Sequence, residues 1–172
     1  MSIDRNLLLE KLKDAFEYDY NIVPVEDNPG LPLVLRADFH SRGEGYVLVK
    51  SAKIWAMEAN EHLYLFSADE IDEETAKKCL DYAVQDAFSK VVPHSEHKET
   101  SCLAVFVANK MDPEVLKLIR RRKEYRSYKF GLHGWSNLRA CAVCLGEELV
   151  VTNKAGSCLK NFYTTLLRSE SK

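Results

Sequence analysis

The stretch Cys102-Leu103-Ala104-Val105-Phe106-Val107-Ala108 decides the fold. Seven apolar residues in a row are too few for a helix and are rich in β-formers. They offer no polar side to water, so they predict a strand buried on both faces at the centre of a sheet. Helices must then cover both faces. Just before this strand, Ala76, Leu80, Ala83, Val84, Ala87, Phe88 and Val91 recur at three- and four-residue spacing, between the cap candidates Asp69 and Asp72 and the helix-stopping Pro93. Just after it, Asp112-Pro113-Glu114 supplies a capping carboxylate, a proline at the first helical position and an acid in the first turn. That helix carries Val115, Leu118 and Ile119 and ends among Arg120-Arg121-Arg122-Lys123.

Toward the N-terminus the period changes to two. Leu31, Leu33, Leu35, Ala37 and Phe39 alternate with Pro32, Val34, Arg36, Asp38 and His40, the pattern of a half-buried strand. Ser41-Arg42-Gly43-Glu44-Gly45 reads as a turn into a strand at 46–49, and 54–58 and 63–66 continue around Ala59-Asn60-Glu61. A meander of three or four antiparallel strands is predicted. Ahead of it, a helix capped by Ser2 buries Leu8, Leu12, Ala15 and Phe16, and 23–30, with two prolines, is a loop.

Toward the C-terminus, 125–132 and 138–145 read as paired strands around His133-Gly134-Trp135-Ser136, and Gly146-Glu147-Glu148 turns into 149–151. A last helix starts near Asn153 and buries Leu159, Phe162, Tyr163, Leu166 and Leu167, with 166–172 expected to fray. The prediction is one α+β domain over 1–172: a mixed, mostly antiparallel sheet with two β-meanders and about four helices. A chain of 172 residues hides roughly 70% of its unfolded surface, so its core needs no metal or disulfide.

Composition excludes several classes. The 24 Lys plus Arg against 26 Asp plus Glu leave a charge of −2, which gives the molecule no general attraction to nucleic acid or anionic lipid. Five cysteines, Cys79, Cys102, Cys141, Cys144 and Cys158, are odd in number and read as reduced thiols. No stretch reaches the ~18 apolar residues of a membrane span, and Met1-Ser2-Ile3-Asp4-Arg5-Asn6 is no signal peptide, so no membrane partner and a cytoplasmic location are expected. No cofactor motif is present: the Gly-x-x-x-x-Gly-Lys pattern is absent, and Asn153-Lys154-Ala155-Gly156-Ser157 reads as a simple helix start. Ser136 and Ser157 lack a nucleophile elbow, and catalytic residues are not readable.

The strongest anomaly is local charge. Between 117 and 139, eight bases accompany one acid, Glu124, a local +7 in a chain whose remainder carries −9. Tyr125, Tyr128, Phe130 and Trp135 are interleaved with them, a mixture that suits phosphate contacts together with base stacking. Arg120, Arg121, Lys123, Arg126, Lys129 and Arg139 are therefore the candidate residues for binding an anionic ligand, nucleic acid above all. The plainer account is that cations at a helix end complement its dipole and their stems cover apolar surface. A structural or protein-interaction module would need no more than that.

Two further spacings bear on metal binding. Cys141-Ala142-Val143-Cys144 has CxxC spacing, but in a strand its two thiols face opposite sides, and no second CxxC exists. His94-Ser95-Glu96-His97 places two imidazoles in a loop with Glu96 and Glu99 but offers no third ligand of certain identity, so no metal site is assigned. Asp38, Lys50, Lys53 and Glu58 lie on successive predicted strands, in an order similar to the core of the PD-(D/E)xK nucleases. That resemblance implies Asp38 and Glu58 as holders of a divalent cation, although Asn60 stands where the family has its lysine. Finally, Lys53-Ile54-Trp55-Ala56-Met57-Glu58-Ala59-Asn60-Glu61, Val92-Pro93-His94-Ser95-Glu96-His97 and Phe130-Gly131-Leu132-His133-Gly134-Trp135 together resemble a family of uncharacterised prokaryotic proteins. Cys144 stands where that family leads one to expect an acid. The resemblance implies a bacterial or archaeal cytoplasmic protein and lends no function.

Overall fold

In the computed structural model, which describes residues 2–25, 30–46 and 53–171, the apolar run at 102–108 lies inside a 15-residue strand in the middle of a seven-stranded sheet. The elements follow in the order α1 (Arg5–Asp19), β1 (Asn21–Val23), β2 (Leu33–Tyr46), β3 (Lys53–Ile71), α2 (Glu73–Ser89), β4 (His97–Met111), α3 (Pro113–Arg121), β5 (Tyr125–Ser127), β6 (Trp135–Cys144), β7 (Leu149–Thr152) and α4 (Lys160–Glu170). Across the sheet the strands run β1-β2-β3-β4-β6, and β5 and β7 share the outer edge of β6.

The sheet is mixed, as the α+β reading requires, but it is not mostly antiparallel. β3 pairs with β4, and β4 with β6, in parallel, because α2 and α3 each carry the chain back across the sheet between them. The first predicted meander is instead one long hairpin. β2 runs through Ser41-Arg42-Gly43-Glu44-Gly45 without turning, with Gly43 opposite Met57 and Gly45 opposite Trp55, and β3 runs through Ala59-Asn60-Glu61. Glycine permits a turn without requiring one, and here the ladder to the partner strand satisfies the backbone. The strand placed at 46–49 falls mostly outside the described residues.

Alternation along β4 builds both cores. Cys102, Ala104, Phe106 and Ala108 face α2 and α3; Leu103, Val105 and Val107 face α1 and α4. Ala76, Ala83 and Ala87 of α2 meet the small side chains of β4, so the helix lies close to the sheet, and Phe66 and Phe106 stack beneath it with ring centroids 5.1 Å apart. The helix caps differ from the sequence reading in detail. Asp4, not Ser2, caps α1, accepting from the amides of Asn6 (2.9 Å) and Leu7 (3.3 Å); Asp72 caps α2 through Thr75 N–H at 2.8 Å. Asp112 stands at the start of α3 without a side-chain cap bond. At the C-terminus Leu167 is buried and α4 extends to Glu170, whose carboxylate accepts from Lys11 at 2.5 Å.

Candidate nucleic-acid interface

β5 pairs with residues 135–137 of β6 and β7 with residues 141–144, so the edge of β6 between them has no strand beside it. The side chain of Asn153, buried at 3% exposure, occupies that gap. Its Oδ1 accepts from Ala140 N–H (3.0 Å) and Gly156 N–H (2.8 Å), and its Nδ2 donates to Leu138 O (2.8 Å) and Arg122 O (3.0 Å). One amide thus ties the sheet edge, the end of α3 and the approach to α4 together. A Cβ on Gly156 would lie 2.8 Å from Ala140 O, so glycine is needed for that close approach.

Beside this knot the end of α3 and the segment leading to α4 bound a cleft of about 430 Å³, lined by Arg120, Arg121, Arg122, Lys123, Glu124, Tyr125 and Lys154 among others. The charges in it are of two kinds. Arg122 is committed to the fold: its Nη2 donates to Asp81 at 2.7 Å and its Nε to Glu124 at 2.9 Å, which also neutralises the one acid among the described residues that line the cleft. Arg120, Arg121, Lys123 and Lys154 have no ion-pair partner among the described residues, and all four are exposed. Tyr125 is 59% exposed at the same rim.

The six candidate bases do not form one surface. Arg120, Arg121 and Lys123 line the cleft; Arg126, on β5, lies in a separate hollow against α2, its guanidinium 5.4 Å from the Phe88 ring centre. Lys129 is in the tight loop before β6. Arg139 is spent inside the protein, donating to Glu99 at 2.8 Å with Glu61 3.7 Å away. Charge counting along the chain cannot see that pairing, because both acids arrive from strands far away in sequence. Lys154 was missed for the same reason: it joins the cleft from 31 residues beyond Lys123, and only the polar, small-residue run around it hinted at a special segment.

The other spacings resolve into separate local pairs. Asp38 bonds His62 at 2.7 Å, whereas Glu58 bonds Arg42 at 2.7 Å and His94 at 2.9 Å. The ladder sets Asp38 opposite His62 and Arg42 opposite Glu58, so the two carboxylates are four residues apart along the hairpin, on the order of 13 Å. Burial raises both carboxyls, but His62 on Asp38, and His94 and Arg42 on Glu58, outweigh it and hold both below the usual carboxylate range. His97 is buried with both ring nitrogens engaged, one donating to His133 O at 2.6 Å and the other accepting from Thr100 Oγ1 at 2.8 Å. Cys141 and Cys144 do face opposite cores, and burial pushes the Cys79 and Cys141 thiols up to about 12. Cys158 differs from the other four cysteines in being exposed. Among the described residues no group of three or more His, Cys, Asp and Glu is arranged to hold a metal.

No curated protein and no solved structure matches this chain. One family does, over almost its whole length, from residue 4 to residue 165. The chain belongs to the family described as a domain of unknown function, DUF8052.

Proposed function

We propose that this protein binds an anionic ligand, a nucleic acid, in the cleft beside α3. The observation that carries the reading is the division of labour within one basic run: Arg122 is neutralised by Asp81 and Glu124, while Arg120, Arg121, Lys123 and Lys154 converge on the cleft without an ion-pair partner among the described residues. Cations that merely complement a helix end would not gather a fourth member from another element. Converging unpaired cations raise the local potential and reward a polyanion by counterion release, which a single carboxylate ligand would not use in full.

Binding without cleavage is expected. Asp38 bonds His62, while Glu58 bonds Arg42 and His94 some distance away, which supports a binding module over a metal-dependent nuclease. A cytoplasmic location follows from the same reading, supported by four buried, unpaired thiols that suit a reducing compartment. The test is titration of fluorescently labelled single- and double-stranded oligonucleotides, with and without Mg²⁺ or Mn²⁺. Submicromolar to micromolar binding at low salt, weakened in Arg121→Gln/Lys123→Gln and unchanged in Lys77→Gln on α2, is the expected result. Absence of binding, or equal weakening in all variants, contradicts the proposal.

A further inference from the structure

The loop from Tyr128 to Gly134 holds an apolar ring in water at some conformational cost. Lys129 (φ 47°), Phe130 (φ 55°) and Gly131 (φ 87°) are consecutive left-handed residues, two of them not glycine. Such backbone is strained for a residue with a side chain and persists only where its surroundings impose it. Here they do. Tyr128 N–H donates to Gly134 O (3.0 Å), His133 N–H to Tyr128 O (3.1 Å) and Leu132 N–H to Lys129 O (3.0 Å), closing the loop on itself. His97 donates to His133 O, and Tyr128 Oη is 2.8 Å from Ser136 Oγ. A Cβ at Gly134 would lie 2.2 Å from Lys98 O, so the loop is pressed directly onto β4. At the tip Phe130 is fully exposed, and Leu132 is 70% exposed.

Cations flank this ring. Lys129 precedes it, and Arg126 stands at the base of the loop on β5; Tyr125, the first residue of β5, lines the cleft. The five steps from Tyr125 to Phe130 span at most about 17 Å, so the tip lies within reach of a strand a few nucleotides long that is held in the cleft. An exposed aromatic on a constrained loop, with Lys129 next to it and the cations of the cleft within that reach, suits a ligand that alternates negative charge with flat apolar groups. A single-stranded nucleic acid has that chemistry, whereas a duplex hides its base faces and an acidic peptide has no regular flat groups.

We infer that the ligand of the cleft is single-stranded, and that Phe130 stacks on one of its bases as the strand leaves the cations. This rests on the cleft reading of the preceding section, and the two can fail separately. The experiment measures binding of a single-stranded oligonucleotide of about 15 nucleotides carrying 2-aminopurine, and of its duplex, by wild type, Phe130→Ala, Phe130→Trp and Arg121→Gln/Lys123→Gln. Because the ring touches nothing that holds the fold, Phe130→Ala should melt like wild type. It should bind the single strand roughly ten- to hundred-fold more weakly with an unchanged salt dependence, and should lose the 2-aminopurine quench, while Phe130→Trp keeps it. Phe130→Ala binding as wild type, with the cleft variant still impaired, overturns this inference and leaves the cleft reading standing. A wild type that binds no oligonucleotide overturns both. Phe130-dependent binding to phosphatidylserine vesicles in place of oligonucleotide would make the tip a lipid contact and overturn it likewise.

Discussion

Asn153 and Asp86 show how much single polar side chains carry here. Asn153 replaces a missing length of strand with four hydrogen bonds, so Asn153→Ala leaves two amides and two carbonyls in a buried place without partners. A loss of about 2–4 kcal/mol is expected, read by chemical denaturation, and a variant within ~0.5 kcal/mol of wild type would contradict the account. Asp86 gathers three donors on one oxygen: Tyr64 Oη at 2.5 Å, Arg36 at 2.8 Å and Lys90 at 2.8 Å. Burial alone would raise its carboxyl, but the bonds from Lys90 and Tyr64 and the Arg36 charge hold it below the usual range. A carboxyl depressed in the folded state binds protons more readily when unfolded, so its contribution is complete above pH ~4 and is lost as pH falls through the folded value. Asp86→Asn should therefore be less stable than wild type at pH 7 and show a shallower loss of stability between pH 5 and 2. The candidate bases were visible in the sequence as a run, but which of them are free was not. Arg122 and Lys123 are neighbours, and what separates their roles is that Arg122 pairs with Glu124 and with Asp81, 41 residues before it.

At the level of elements, what the sequence revealed depended on whether local pattern and tertiary pairing agreed. β4, α2 and α3 were legible because seven unbroken apolar residues, a clean helical stripe and an Asp-Pro-Glu start each have one physical outcome. The long hairpin was not, because Gly43 and Gly45 are turn formers that the ladder to β3 holds extended. The parallel pairing was hidden for another reason: an apolar run says that both faces are covered but leaves the direction of its neighbours open. Central position makes a prediction of its own. Phe106→Ala removes one ring of the Phe66 stack from beneath α2 and should cost about 3–5 kcal/mol, with native-state amide exchange slowest at 103–107 and fastest in β1 and β5. Slower exchange in β5 than in β4 would show that the sheet is not organised about β4.

For the whole molecule, the charge of −2 conceals a local concentration of cations, unpaired among the described residues, that line one cleft at the outer edge of the sheet. The fold accounts for that placement. β5 and β7 stop short of one another on β6, Asn153 seals the gap between them, and the end of α3 meets the approach to α4 at the seal. The family match extends from residue 4 to residue 165 and so includes every element that builds the cleft. The central claim is that these cations act together on a polyanion. The most direct test is the dependence of oligonucleotide affinity on salt concentration, compared between wild type and Arg120→Gln/Lys154→Gln. The account predicts a steep linear fall of log affinity with log salt in wild type, a slope reduced by roughly 1.4–1.8 in the double variant, and nearly unchanged thermal stability. A wild-type slope near zero, or the same slope in both proteins, would contradict it.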